Sequence, residues 1–149
     1  MIAMLRPHSW DFPLFLHVFG AMVLFGATLA TVALAFAGPR VPALARSTFW
    51  VLLGAALPAW LVMRVGAQWI YSKEHHQVFD KDPTWIGVGF GVADAGLLIL
   101  LIATGLAFWW QRSKKPLLGR IVSGLALLYF VLLVIAWLAM SGKWGGISG

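Results

Sequence analysis

The chain has 149 residues, 61% of them hydrophobic and 11% charged, with a formal net charge of +6 and no cysteine. A soluble domain usually carries about 25% charged residues, so the composition excludes an ordinary soluble fold. The absent cysteines exclude disulfides, thiolate metal sites and thiol redox chemistry. The positive charge sits at the edges of apolar runs, where it acts as a topology signal, so no nucleic-acid partner is expected.

Four apolar runs, roughly residues 12–37, 48–69, 85–110 and 118–140, are each long enough to cross a bilayer, for which about 20 residues suffice. Runs this continuous satisfy their own backbone as helices, not as barrel strands. The expected architecture is all-α: a single four-helix transmembrane bundle over residues 1–149, with no soluble module.

The first run follows a short interfacial lead-in. Asp11 can cap it, and Pro13 suits its first turn. Ala35-Phe36-Ala37 before Gly38 resembles a signal-peptidase site. The apolar part is much longer than the about 7–15 residues of a signal peptide, so the segment is expected to be retained. Gly26 and Ala30 give a small-xxx-small spacing that favours close helix contact. The first loop, GPRVPALARS, is short and forces an antiparallel neighbour. Pro58 in the second run deprives the Gly54 carbonyl of its usual donor and predicts a kink. Beyond it, Trp60, Arg64 and Gln68 recur every fourth residue and share one face.

The middle loop, SKEHHQVFDKDP, is the most polar stretch. Its adjacent His75 and His76 are candidate metal ligands if His8, Glu74, Asp80 or Asp82 supplies a third group; the competing reading is a solvated loop. The third run carries Gly87 and Gly91 as a GxxxG pair, with Asp94 continuing that face, and ends in the aromatic belt Phe108-Trp109-Trp110. The fourth run has few polar members, chiefly Ser123 and Tyr129. Loops one and three carry Arg40, Arg46, Arg112, Lys114 and Lys115 without an acid. The positive-inside bias therefore places them in the cytoplasm, with both termini and the His-His loop on the extracytoplasmic side.

His17, Arg64 and Asp94 are ionisable groups inside apolar runs, where such residues face protein and pair. Counting along the helices brings Arg64 and Asp94 within one side chain's reach in the outer half of the bundle. Gln68 lies on the Arg64 face, and the Tyr129 hydroxyl is near enough to join. The expected cluster is His17, Arg64, Gln68, Asp94 and Tyr129. It is either structural glue fixing helix register or the lining of a ligand cavity. No nucleophile–base arrangement, phosphate loop or H-E-x-x-H motif is present, so no catalytic residue is assigned and an enzyme is the less favoured reading.

Three functional readings stay open. The first is a non-enzymatic ligand- or cofactor-binding protein, or an accessory subunit of a larger membrane complex or homo-oligomer. The second is a proton or small-solute carrier using His17, Arg64 and Asp94. The third is an oxidoreductase subunit binding haem b or quinone, with His17 as the ligand and His75, His76 or Met63 as a second one.

The stretch LHVFGAMVLFGA (Leu16–Ala27) resembles the first helix of small bacterial four-span proteins that begin with an L-H-x-x-G-A motif. MRVGAQWIYSKE (Met63–Glu74) and DPTWIGVGFGVAD (Asp82–Asp94) are similar to stretches of actinobacterial integral membrane proteins. The resemblance implies a multi-pass protein of the bacterial cytoplasmic membrane. In copper-resistance and related haem-binding membrane families, a comparable histidine of helix one serves as a ligand, which by analogy assigns that role to His17.

Overall fold

The computed structural model describes residues 8–74 and 84–142. A 3-10 turn, His8–Trp10, leads into α1 (Asp11–Ala37). The second span is one continuous rod of three parts: α2 (Ala43–Val51), a π turn (Leu52–Ala56) and α3 (Leu57–Glu74). The third and fourth spans are α4 (Thr84–Ser113) and α5 (Pro116–Gly142). All four spans are long and apolar enough to cross a membrane. The expected helical bundle is thus present, and no strand occurs among the described residues.

Each span runs slightly past its apolar core, because helices continue through the interface until the chain must turn. The first connection is only Gly38–Pro42. It reverses through overlapping turns in which the Gly38, Arg40 and Val41 amides donate to Leu34, Ala37 and Gly38. The second span accordingly starts at Ala43, ahead of the expected Thr48. Lys114 closes α4 with φ at 56°, in the left-handed region, and its amide donates to the Trp110 carbonyl at 2.8 Å. Pro116 then opens α5, where its missing amide hydrogen is not needed.

At Pro58 the rod widens. The Leu57 amide donates to Leu52, five residues back, so the strain expected from proline takes the form of a π turn.

The interior is made of small residues. Among the described residues, eleven of the twenty buried apolar ones are alanines, whereas Phe36, Met22, Trp137 and Leu98 are exposed at 73%, 70%, 64% and 63%. Lipid is as apolar as leucine, so helices in a bilayer gain little by burying large side chains and associate by close packing instead. The closest packing joins α1 to α3. A Cβ on Gly20 would lie 2.5 Å from the Met63 amide nitrogen, and one on Gly66 would lie 2.5 Å from that of His17. The two contacts are reciprocal, each glycine lying against the other helix's backbone. Gly26, by contrast, meets nothing within 4 Å, so the anticipated Gly26/Ala30 contact does not carry this interface.

Further pairings are α4 with α5, and α5 with α1 through Ser123, whose hydroxyl donates to the Val32 carbonyl. Buried Thr28, Thr31, Thr48 and Thr104 return their hydroxyl protons to the carbonyl four residues back, which satisfies these four hydroxyls within their own helices. Trp110 departs from the expected belt. Phe108 and Trp109 are exposed, but Trp110 is buried at one end of the bundle against Gly38 and Gly119. The two ends are called here the Trp110 end and the His17 end.

Gly20→Val and Gly66→Val should each lower the thermal midpoint in detergent, because backbone opposes the new side chain and overpacking costs about 1–3 kcal/mol. Gly26→Ala should hold the midpoint or raise stability by up to about 1 kcal/mol, since alanine is the better helix former. A thermal-shift assay on the three variants checks both.

Candidate functional site: a cavity at the His17 end

At the Trp110 end α2 packs closely on α4, but at the His17 end α3 and α4 meet along much less of their length. Side chains bridge that gap instead. The Trp60 indole donates to the Ala93 carbonyl at 2.8 Å, and Tyr71 stands edge-on to Phe90 with ring centroids 5.4 Å apart. Between the separated helices lies a cavity of about 780 Å³, lined by all four spans. It exists because Ala21, Gly26, Ala67, Gly89, Ala93 and Ala136 all fall at this level and fill little space. Its larger lining groups include Phe25, Phe90, Trp137, Met63 and Met140. Val18, Met22 and Trp137, from α1 and α5, line it and are also exposed, so the cavity opens at the bundle surface between these helices.

His17 is one of its polar lining residues. The ring Nδ1 lies 3.2 Å from the Met63 carbonyl oxygen. A carbonyl only accepts, so Nδ1 carries the proton and donates. In the neutral ring Nε2 then holds a lone pair, and no other hydrogen bond of this ring is formed among the described residues. A backbone carbonyl that fixes the tautomer in this way orients an imidazole for coordination or proton acceptance at its other nitrogen. The Gly20 and Gly66 contacts flank this bond, so the ring's position depends on this close approach of the two backbones.

Arg64 borders the same cavity and also a second, more polar cleft of about 670 Å³ between α3 and α4. Its guanidinium is held on three sides. Nε lies 3.5 Å from Asp94 Oδ1, an Nη donates to Gln68 Oε1 at 2.9 Å, and the plane covers Phe90 at 4.5 Å from the ring centroid. The expected Arg64–Asp94 pair therefore forms, and Trp60, Arg64 and Gln68 do share the face turned to α4. The pair is not fully enclosed: the side chains are 25% and 66% exposed. An unpaired charge at mid-membrane carries about 2.5–3.5 kcal/mol on insertion scales, and pairing offsets part of that cost for both residues.

The five expected residues do not form one cluster. Tyr129 is fully buried in the seam between α4 and α5 against Gly96, and among the described residues its hydroxyl makes no hydrogen bond, to Asp94 or otherwise. Gly96 lies two residues beyond Asp94, on the other side of α4, which separates the two groups. His17 faces the cavity, and Arg64, Gln68 and Asp94 sit at its α3–α4 margin. Met63 of α3 and Trp137 and Met140 of α5 escaped notice as one wall because the two helices are distant in sequence; the shared level of small residues was the available signal. His75 and His76 lie outside the described residues. Among the described residues no group of three or more His, Asp or Glu side chains could hold a metal ion.

The fold and site define an all-helical bundle of four helices, each long and apolar enough to cross a membrane, with a cavity near one end. Comparison with protein-family models, with curated proteins and with solved structures finds no match.

Arg64→Leu and Asp94→Leu should each lower thermal stability in detergent, since each leaves one charge without its partner. The double variant should lose less than the sum of the two, with a coupling of about 0.5–3 kcal/mol in a double-mutant cycle.

Proposed function

We propose that the protein is a non-enzymatic membrane binding protein, or the ligand-holding subunit of a larger membrane complex. It takes a neutral, lipid-soluble ligand or cofactor into the cavity at the His17 end. The observation that carries this reading is the committed tautomer of His17: with Nδ1–H spent on Met63, the ring offers the cavity a single acceptor, Nε2.

The charge balance supports a neutral ligand. Arg64 is already compensated by Asp94, so the site has no net charge to offer an anion. Nε2 can accept a hydroxyl proton, as from a quinol, or coordinate the iron of a haem. Either ligand is flat and apolar, as the Phe25, Phe90 and Trp137 walls require. A volume of about 780 Å³ suits such a ligand, since small-molecule pockets run about 300–1,000 Å³. The opening between α1 and α5 would admit it from the bilayer. The bacterial cytoplasmic membrane is the compartment that the family resemblance implies.

The test is purification in mild detergent, followed by oxidised and dithionite-reduced visible spectra and mass spectrometry of an organic extract. A stoichiometric small molecule should accompany the wild type and be lost from His17→Ala at unchanged helix content. A wild-type preparation with a flat spectrum and no enriched extractable ligand would refute the reading.

A further inference from the structure

We propose that two copies of this chain associate side by side in the membrane through the free face of α4, with the Arg64–Asp94 pair at the centre of the contact. The starting observation is the position of Asp94. It lies ten residues past Thr84, about 15 Å along the helix at 1.5 Å per residue, within the span. Yet its side chain is 66% exposed. A carboxylate–guanidinium pair at that depth, turned out of the bundle, faces hydrocarbon that can satisfy none of its remaining hydrogen-bonding capacity.

The surface around the pair is also unpacked. Gly87 and Gly91 precede Asp94 on one stripe, and a Cβ on either would meet nothing within 4 Å. Leu98 and Ile102 continue that stripe at 63% and 54% exposure. The opposite face of α4 is the one spent on the bundle, through Ala93, Gly96, Leu100, Ala103 and Ala107.

Charge complementarity selects a second copy as the occupant. Copies inserted with the same orientation are related by a twofold along the membrane normal, and such an axis brings like-numbered residues together at one depth. The patch carries one positive and one negative group at that depth, so it is complementary to itself: Asp94 of each copy can accept from Arg64 of the other. Any different protein would have to present an opposed pair at the same level. The bare glycines allow the two α4 backbones to approach closely enough for this exchange. The proposal uses the outer side of the α3–α4 margin and does not depend on what fills the cavity.

The chain has no cysteine, so a single introduced thiol reports without background. Gly91→Cys in native membranes, oxidised with copper phenanthroline, should convert the 16.3 kDa band to one of twice that mass on a non-reducing gel. Gly124→Cys, on an exposed position of α5 with nothing within 4 Å, should stay monomeric. Native mass spectrometry in mild detergent should show a dimer for the wild type and a monomer for Gly91→Ile, which leaves both charges in place, at unchanged helix content. The proposal is overturned by cross-linking at position 91 no greater than at 124, or by an adduct of another mass. It is equally overturned by ready labelling of Gly91→Cys with a membrane-impermeant maleimide, the mark of a water-filled cleft.

Discussion

The backbone-to-backbone contact of α1 and α3 at Gly20 and Gly66 sets the rest of the molecule. Each glycine lies against the other helix's main chain, so the separation of these helices is fixed without any side chain between them. Within that contact the His17 ring reaches the Met63 carbonyl and gives up one of its two tautomers. Toward the tip of the His17 end of the same pair, Lys73 donates to the Ser9 carbonyl and Phe12 meets Trp69 edge-on. Because α3 is drawn this tightly onto α1, it stands away from α4. The gap is then filled by Trp60, Arg64 and Phe90 instead of by backbone, and that substitution leaves the cavity.

The same economy of size governs the whole bundle. Alanines, with Gly20, Gly38, Gly66, Gly96 and Gly119, fill much of the interior while many bulky residues face outward, unlike a water-soluble core. With lipid outside, a large apolar side chain is as well placed there as inside, and dispersion between close backbones holds the helices together. A void in such an interior is not repaired by collapse, because no hydrophobic pressure drives the walls inward. The cavity can persist at the level where Gly26, Ala67, Gly89 and Ala136 coincide.

Much of the fold was legible from apolar run length alone, since a bilayer imposes its thickness on every span. Spacing by four also revealed the Trp60–Arg64–Gln68 face, and counting depth revealed the Arg64–Asp94 pair. Tyr129 shows where counting ends. Depth along a helix does not fix rotation about it, and Tyr129 and Asp94 sit at compatible levels on different sides of α4. The Gly20 and Gly66 contacts illustrate a second limit. A glycine in a helix reads the same whether it meets a neighbour's backbone, as Gly66 does, or open space, as Gly26 and Gly91 do. Trp110 likewise reads as a belt residue until the glycines that receive it, Gly38 and Gly119, are known to be its neighbours.

The π turn at Leu52–Ala56 has a consequence for how the second span can vary. It is in effect one residue more than α-helical winding needs, and each residue of an α-helix corresponds to about 100° of rotation. The two ends of the rod are therefore out of phase: α2 presents one stripe to α4 while α3 presents another to α1. Phase, unlike packing, changes in whole residues. Losing a single position between 52 and 56 would let the rod wind evenly and swing every side chain beyond it, Arg64 and the Met63 carbonyl among them, away from its present partner. The cavity's chemistry thus depends on a length of chain that contributes no atom to it.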